Sequence, residues 1–442
     1  MNNAYQMNST DEVALWIARR NREVVVDVQE VPFAELRGWR FDKVGGNLVH
    51  ESGKFFSIVG LDVYTNHDNV RRWTQPVINQ PEVGYLGIVC HKFNGVMHYL
   101  LQAKIEPGNV NCVQLSPTLQ ATRSNYMQVH GGKKPAFLEY FQGARPDQIV
   151  LDQLQSEQGA RFYRKRNRNM VIRIEGSEGE RLVAEAAENP DFRWLTLPQI
   201  KDLLRRDNTV NMDTRTVLSG LRLGDEGGLN DPRAVMSIDE ILHRLTELKS
   251  RYELVVDKIG LRDVQGWYVS DTEIARQDKK YFRVLGVKVT ISNREVASWC
   301  QPLVQPMQEG LCVLFCKKIN GLMHYLFQAK IECGNFDVVE LAPTIQCLTG
   351  DYRMVAEENR PRFVTEFLSG AISGKVIVDA KQSEEGGRFY HEQNRNVVFE
   401  LADDQEIEEH SDFLWLTMAQ IKEFLRFNNY LNIQVRSLIS AL

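Results

Sequence analysis

One segment of this sequence occurs twice, and the duplication constrains the fold more than any other feature. Residues 84–126 and 310–352 align without a gap, and 22 of the 43 aligned positions are identical. The second copy begins 226 residues after the first in a chain of 442, so the repeating unit is a whole domain rather than a short solenoid repeat. We therefore predict an N-terminal domain at 1–223, a linker at 224–235 and a C-terminal domain at 236–442.

The centre of the duplicated segment alternates with a period of two. This pattern over 97–106 predicts a β-strand, which presents alternate residues on opposite faces. One face carries His98, Leu100, Gln102, Lys104 and Glu106. On a single strand this polar line would suit a solvated sheet face, but its recurrence in the second copy indicates a functional surface.

Helix and strand signals alternate along both copies. Capping boxes at Ser9-x-x-Glu12, Thr196-x-x-Gln199 and Thr417-x-x-Gln420 predict the starts of helices. Apolar runs at 55–64 and 281–290 predict strands. The mixture predicts an α/β (α+β) fold, with one sandwich of helices and sheets in each domain.

Composition excludes several classes of protein. A formal net charge of −5 gives no reason to expect nucleic acid or an anionic membrane as partner. No apolar run approaches the roughly 20 residues that span a bilayer, and the first residues lack the features of a signal peptide. Seven cysteines without a paired CxxC motif are typical of reduced core thiols. These features predict a cytoplasmic protein.

Several common active-site motifs are absent. The sequence has no GxGxxG after a strand, no GxxxxGK[ST], no HExxH and no GxSxG, which disfavours a Rossmann dinucleotide site, a P-loop and an α/β-hydrolase. His98 and His324 have no second histidine at ligand spacing, so no zinc site is expected.

The repeated blocks suit a polar, anionic ligand that contains a ring. Lys104, Arg123 and Arg161 can neutralise a diphosphate. The position of Trp73 fits a side chain that stacks on a base and fits a side chain buried in the core equally well. The candidate binding residues in the first copy are Trp73, Gln75, Gln102, Asn109, Thr118, Gln120, Arg123, Ser124, Asn125, Glu157, Arg161 and Asn167. A second pocket is expected from Trp299, Gln301, His324, Gln328, Lys330, Glu332, Tyr352, Arg388 and Tyr390.

A degenerate Nudix box is one resemblance. Residues 152–160 (DQLQSEQGA) resemble its core and keep Leu154, Glu157 and Gly159. Ser156 and Ser383 stand where Nudix enzymes carry metal-binding carboxylates. The resemblance implies tandem Nudix-like α/β/α sandwiches that hold no metal.

A second resemblance covers the chain from about residue 16 to residue 442. The segments RRWTQP, GVMHYLLQAKIEPGN, QLSPTLQATRSNY and QSEQGARFYRKRNRN, together with the duplication, resemble the NDP-hexose 2,3-dehydratases of deoxysugar biosynthesis. The resemblance implies a dTDP-linked 4-keto-6-deoxyhexose substrate and cofactor-independent loss of the C2 hydroxyl to a 3,4-diketo-2,6-dideoxy sugar nucleotide. It also implies a homodimer and a downstream NADPH-dependent 3-ketoreductase. The alternatives are a Nudix-type nucleotide-sugar pyrophosphatase and a non-catalytic nucleotide-sugar-binding protein.

Such a dehydration needs a base at C3, a donor for the enolate oxygen and an acid for the leaving hydroxyl. Residue type and strand face leave the roles open: His98 or Glu106 as base, Lys104 or Gln102 as enolate donor, and Tyr126 or Tyr163 as acid.

The two copies differ in charge around the expected pocket. The first copy has Lys133, Lys134 and Lys165 where the second has acidic residues such as Glu358 and Glu392. Because a diphosphate is attracted to positive charge, we expect the first copy to carry the chemistry.

Overall fold

The computed structural model describes residues 9–67, 70–122, 134–222, 227–292, 296–348 and 360–442. Helices and antiparallel and mixed sheets alternate along these ranges, which confirms the α+β class. Each half of the chain contributes one seven-stranded sheet, and two five-stranded sheets are shared between the halves. A Nudix-like architecture stays a prediction.

The elements follow the duplication. The first half contains α1 (Thr10–Glu23), β1 (Val26–Val31), β2 (Trp39–Phe41), β3 (Leu48–His50), β4 (Ser57–Thr65), β5 (Arg72–Asn79), β6 (Gly84–Phe93), β7 (Val96–Ile105), β8 (Val113–Ser116), β9 (Leu119–Ala121), α2 (Leu138–Gln142), β10 (Ile149–Ser156), β11 (Arg166–Arg173), α3 (Gly176–Glu188), β12 (Phe192–Thr196), α4 (Leu197–Leu203) and α5 (Met212–Ser219). The second half contains α6 (Ile238–Arg251), β13 (Leu254–Ile259), β14 (Trp267–Val269), β15 (Glu273–Arg276), β16 (Phe282–Ile291), β17 (Ser298–Pro306), β18 (Gly310–Ile319), β19 (Leu322–Lys330), β20 (Glu340–Pro343), β21 (Ile345–Leu348), α7 (Val364–Ser369), β22 (Gly374–Ser383), β23 (Gln393–Leu401), β24 (Phe413–Thr417), α8 (Met418–Phe424) and α9 (Ile433–Ser440).

The local signals in the sequence are confirmed. At the start of α1, the Glu12 N–H donates to the Ser9 hydroxyl over 3.2 Å, and the Ser9 N–H donates to the Glu12 carboxylate over 3.0 Å. The same reciprocal caps begin α4 and α8. The strand expected at 97–106 is β7, whose Tyr99, Leu101, Ala103 and Ile105 face the main core.

The two seven-stranded sheets have the same topology. The first runs β10-β11-β6-β7-β12, with β8 paired to β7 and β9 paired to β6. The second repeats this order with β22-β23-β18-β19-β24, and β20 and β21 take the places of β8 and β9. The β6–β11 and β18–β23 pairs are parallel, and the other pairs are antiparallel.

The two five-stranded sheets exchange strands between the halves. Strand β1 pairs with β16, where Val28 lies opposite Val289, and β13 pairs with β4, where Val256 lies opposite Val63. Each sheet therefore contains one strand from the other half. The exchange ties the halves together by main-chain hydrogen bonds; the domain boundaries stay a prediction.

Two buried arginines join the halves in the interior. The Arg215 Nε donates to the Ser437 hydroxyl over 2.6 Å, and its Nη2 donates to the Ser383 carbonyl over 2.6 Å. Arg436, the counterpart of Arg215 in the second half, makes the equivalent contact: its Nε donates to the Thr216 hydroxyl over 2.7 Å. Both arginines are almost fully buried, so their guanidinium groups depend on these contacts rather than on water.

The cysteine prediction is confirmed in part. All seven thiols are free. Four of them are buried, but Cys112 is exposed, because it follows a turn at the protein surface rather than a core strand. No helix in the described ranges is long and apolar enough to cross a membrane.

We predict that Arg215→Met lowers the free energy of unfolding by about 3 kcal/mol, because the Val210 and Ser383 carbonyls lose a charged donor in a buried place. Urea unfolding of the full chain measures this loss. The control is Arg395→Met, which breaks the surface pair with Asp379 and should cost less than about 1 kcal/mol. Equal losses would contradict the role given to Arg215.

Candidate active site

A cavity of about 440 Å³ opens above the end of β7. Its walls come from both halves of the chain. Its polar lining residues are Arg37, Gln80, Lys104, Glu106, Gln120, Thr122, Glu157, Lys165, Asn167 and Asp213 from the first half, and Lys288, Ser298, Gln301, Glu385 and Arg388 from the second. Its aromatic lining residues are Trp39, His50, Phe55, Phe56, Phe162 and Trp299.

A buried lysine and a buried carboxylate form the floor where β7 ends. The Lys104 Nζ lies 3.7 Å from Glu106 Oε1. The Gln120 side-chain amide donates to that same oxygen over 2.7 Å, and the Ser116 hydroxyl donates to Gln120 Oε1 over 2.8 Å. Glu106 Oε2 has no hydrogen-bond partner among the described residues, so this arrangement orients the carboxylate and leaves one oxygen available.

A second buried pair comes from the loop between β10 and β11. The Asn167 amide donates to Glu157, while Lys165 donates to the Glu82 carbonyl. Burial raises the pKa of Glu157 to about 7, against the opposing effect of the Lys165 charge. Burial also lowers the pKa of Lys165 to about 8. Both groups therefore titrate near neutral pH.

The second half reaches the cavity through β16 and β17 and through residues 384–392, which we call the crossing loop. The Gly108 N–H donates to the Gly386 carbonyl over 2.8 Å, and the His391 N–H donates to the Gly108 carbonyl over 2.8 Å. A Cβ at Gly108 would lie 1.6 Å from the Phe389 carbonyl oxygen, so any side chain there would separate the two backbones. This close approach carries Glu385 and Arg388 into the cavity.

Arg388 and the tryptophans shape the cavity wall. The Arg388 guanidinium lies 4.4 Å from the centre of the Phe56 ring and donates to Gln80 Oε1 over 3.2 Å. The Trp299 indole donates to Gln301 over 2.8 Å, and Gln301 donates to the Gly387 carbonyl over 2.7 Å. The hydrogen bonds fix the orientation of Trp299, Gln301 and Arg388, and the wall combines aromatic faces with a charged guanidinium.

Four carboxyl groups share the cavity: Glu106, Glu157, Asp213 and Glu385. Burial raises the pKa of Glu385 to about 8, and the neighbouring Glu106 charge adds to the shift. Burial also raises the pKa of Asp213 well above its usual value, with Glu157 as the largest charged contributor. Because like charges in a dry site resist joint ionisation, the cavity retains protons at neutral pH.

Comparison with known proteins identifies the family. The sequence model of the NDP-hexose 2,3-dehydratase family matches residues 10–221 and again residues 238–442. The chain belongs to this family. The resemblance given by the sequence motifs is therefore confirmed, and with it the class of enzyme, a sugar-nucleotide dehydratase.

Three relatives bear the name dTDP-4-dehydro-6-deoxy-alpha-D-glucopyranose 2,3-dehydratase. The protein of Saccharopolyspora spinosa is 44% identical, over 99% of this chain and 92% of its own length. The protein of Amycolatopsis orientalis is 43% identical, over 98% of this chain and 90% of its own length. The protein of Streptomyces violaceoruber is 40% identical, over 96% of this chain and 95% of its own length.

The cavity of this dehydratase-family chain brings together residues predicted for both pockets. From the first set it contains Lys104, Glu106, Gln120, Glu157 and Asn167. From the set assigned to the second pocket it contains Trp299, Gln301 and Arg388. The crossing loop brings in Arg388, whereas Trp299 and Gln301 lie on β17, in the sheet that the first-half strand β1 joins.

The duplication gives each cavity residue a counterpart in the other half of the chain. We call the place where these counterparts lie the matching position, and it contains Trp73, Gln75 and Arg161, the counterparts of Trp299, Gln301 and Arg388. There the Gln75 amide donates to the Ala160 carbonyl over 3.0 Å, and Trp73 and Tyr163 pack with Cys333. Arg161 lies over the Phe282 ring at 4.4 Å. Lys330 and the buried Glu332 end β19 as Lys104 and Glu106 end β7.

Other predicted residues lie outside the cavity lining. His98 lies on the same strand face but about 20 Å along the strand from Lys104; it is buried against Phe93 and bound to the Val96 carbonyl. Thr118 bridges the Leu100 carbonyl and the Val89 N–H. Gln102, Asn109, His324, Gln328 and Tyr390 are also absent from the lining.

Several predicted residues lie outside the described residues: Arg123, Ser124, Asn125, Tyr126, Lys133, Tyr352 and Glu358. Of the cations expected to favour the first copy, Lys165 lines the cavity, whereas Lys134 pairs with Glu139 at 3.7 Å.

Sequence reasoning missed Asp213, Glu385, Arg37 and Lys288. The signal that could have found the two carboxyls is the difference between the copies. The alignment sets Asp213 against Gln434 and Glu385 against Gln158. The cavity therefore carries two carboxyl groups where the matching position carries two side-chain amides of similar shape.

The titration of Glu385 should make stability depend on pH. Burial raises the pKa of its carboxyl to about 8 in the folded state, against about 4.3 in the unfolded chain, so the stabilisation is fully present below about pH 4 and is lost progressively as pH rises to about 8. We predict that the free energy of unfolding falls less between pH 5 and pH 8 in Glu385→Gln than in the wild type. Urea unfolding at four pH values measures the slope.

The control is Glu253→Gln, since Glu253 is exposed and its replacement should keep the wild-type slope. Parallel pH curves for the wild type and Glu385→Gln would contradict the prediction.

Proposed function

We propose that this chain is a dTDP-4-keto-6-deoxyhexose 2,3-dehydratase that eliminates the C2 hydroxyl without a cofactor and yields a 3,4-diketo-2,6-dideoxy sugar nucleotide. The names of the three relatives support this substrate. The observation that carries the mechanism is the buried Lys104–Glu106 pair, with one unbound carboxylate oxygen, on the floor of a cavity.

The charge distribution suits a sugar nucleotide entering with the sugar first. Arg37 and Lys288 are exposed at the cavity, where they attract a diphosphate. Trp39 and Trp299 line the same wall and offer faces for a base to stack on. The hexose then reaches the buried polar floor, which suits a ring rich in hydroxyl groups.

Glu106 is the base in this proposal. The 4-keto group acidifies the C3 proton, and a carboxylate within reach can remove it. Gln120, itself held by the Ser116 hydroxyl, donates to Glu106 Oε1, which leaves Oε2 for the proton. His98, the other candidate base, is about 20 Å from Lys104 along the strand.

Lys104 stabilises the enolate. Proton removal at C3 places negative charge on the C4 oxygen, and an ammonium group in a water-poor site stabilises that charge more than bulk water does. Lys104 is 9% exposed and lies next to the base, so the group that removes the proton and the group that receives the charge lie side by side.

The matching position is less suited to the anion. Where the cavity has Lys165, Lys288 and Arg37, the matching position has Glu392, Asp62 and Gln265. Asp62 is paired with Arg72 at 2.6 Å, and Arg72 stands where the cavity has Ser298, so these two charges cancel. The replacement of Lys165 by Glu392 and of Arg37 by Gln265 still leaves less positive charge at the matching position, which supports assigning the chemistry to the cavity.

The pyrophosphatase alternative has less support. The Ser156 hydroxyl donates to Glu340 over 2.8 Å, and the Gln114 amide donates to the Ser383 hydroxyl over 2.6 Å. These two serines stand in the Nudix-box positions and serve contacts between the halves. A downstream NADPH-dependent 3-ketoreductase, a homodimer and the thymine base stay predictions.

We predict that the purified chain converts dTDP-4-keto-6-deoxyglucose in deuterium oxide to a product that has lost the C2 oxygen and gained deuterium at C2. Deuterium enters because the enol formed by elimination takes its proton from solvent. Proton NMR follows both changes. Release of a sugar 1-phosphate would support a pyrophosphatase, and an unchanged substrate would support a binding protein.

A matched pair of variants tests whether the reaction takes place in the cavity or at the matching position. Lys104→Ala should lower the turnover number at least about a hundredfold, as loss of an electrostatic donor does, whereas Lys330→Ala should leave it within a few fold. Equal losses, or a larger loss for Lys330→Ala, would contradict the assignment to the first position.

A further inference from the structure

The proposed dehydration leaves one role without a residue. The departing C2 hydroxyl needs a proton, and the tyrosine candidate within the described residues, Tyr163, lies at the matching position. Three carboxyls of the cavity are at most 7% exposed and have an oxygen with no hydrogen-bond partner among the described residues: Glu106, Glu157 and Asp213. Such groups indicate a site built to receive polar atoms of a ligand rather than a solvated acidic patch.

Glu385 enters this group from the other half of the chain. The Gly387 N–H donates to Glu385 Oε1 over 2.9 Å and fixes the carboxyl within the crossing loop. Gly386, next to it, is bound to the Gly108 N–H just beyond the base Glu106. The docking therefore brings a carboxyl from the second half to the wall that faces the floor of β7.

The matching position shows what a structural role alone requires. There Gln158 takes the place of Glu385 and donates to Glu384, and Gln434 takes the place of Asp213. The same loop fold therefore accommodates an amide at the position of Glu385. A carboxyl at that position in the cavity needs a reason other than packing.

We propose that Glu385, contributed by the second half, is the general acid that protonates the C2 hydroxyl as it leaves. This inference rests on the proposed dehydratase function. Glu106 accepts the C3 proton, and the electron pair of the C3–H bond forms the enolate. The enolate then forms the C2=C3 bond as the C2–O bond breaks. The leaving oxygen takes the Glu385 proton and departs as water, and the carboxylate regains a proton from solvent.

The surroundings of Glu385 keep its proton in place at neutral pH. The charged and titratable groups that face it in the cavity are Glu106, Lys104, Glu157, Lys165, Asp213 and Arg388. Burial and the Glu106 charge raise the pKa of Glu385 to about 8, against the opposing effect of Arg388. A carboxyl that stays protonated near pH 7 can act as an acid, as in other enzymes with buried carboxyls.

The test compares two leaving groups. The wild type and Glu385→Gln are assayed with dTDP-4-keto-6-deoxyglucose and with its 2-deoxy-2-fluoro analogue, which loses fluoride without needing a proton. With the hydroxyl substrate, Glu385→Gln should lower the turnover number at least about a hundredfold. With the fluoro substrate, fluoride release should stay within about fivefold of the wild type.

Equal losses on both substrates, or no loss on either, would overturn the assignment. The wild type gives a further readout: kcat/KM should fall above about pH 8 for the hydroxyl substrate and not for the fluoro substrate. Ionisation of Lys165 would instead affect both substrates alike, and that result would also overturn the assignment. An inactive wild type would refute the dehydratase function itself.

Glu392→Gln is the matched control. Glu392 is 8% exposed, and burial raises its pKa to about 8, as it does for Glu385, but it lies at the matching position. Its replacement should leave both rates and both pH profiles within about twofold of the wild type. A loss equal to that of Glu385→Gln would mean that any buried carboxyl of the interior has the same effect.

Discussion

The contact between Gly108 and the crossing loop is the constraint on which the site depends. Two backbones approach so closely there that a Cβ at Gly108 would lie 1.6 Å from the Phe389 carbonyl oxygen. The duplication repeats the contact at Gly334, where a Cβ would lie 1.7 Å from the Phe162 carbonyl oxygen. Because each half covers the strand end of the other, no complete cavity can be built from one half alone.

The strand exchange and the paired arginines serve the same end. Strands β1 and β13 each complete a sheet of the other half, and Arg215 and Arg436 bind carbonyls and hydroxyls across the interior. A site that depends on loop docking needs a rigid interface, since small displacements of catalytic groups reduce rates strongly. The interlocked halves supply that rigidity.

The duplication also allowed the two positions to diverge in charge. Buried ions are costly unless they are paired or functional. The cavity keeps Lys165, Asp213 and Glu385 in a buried or partly buried setting, whereas the matching position has Glu392, Gln434 and Gln158. Both positions hold buried carboxyls, and those of the matching position include Glu332, Glu384 and Glu392. What distinguishes the cavity is therefore the buried cation Lys165 and the added carboxyls Asp213 and Glu385.

The sequence predicted the local elements and half of the site. Strand β7 and its polar face follow from a period of two, and Lys104 and Glu106 lie where that pattern indicates. The crossing was not predictable, because a pattern within one copy does not say which copy a loop will cover. The sequence pattern alone therefore predicts a separate pocket for Trp299 and Arg388, and it groups His98 with residues about 20 Å away along the strand.

The central claim is that second-half residues complete the first-half site, and nucleotide binding by two tryptophan variants tests it most directly. Trp299 lines the cavity, and Trp73 is its counterpart at the matching position. Each indole donates to a glutamine two residues along the strand, so the two variants disturb similar local structure. Isothermal titration with dTDP should show Trp299→Ala binding about tenfold or more weakly than the wild type, the loss expected for a stacked base, and Trp73→Ala binding within about twofold. A larger loss for Trp73→Ala than for Trp299→Ala would contradict the account.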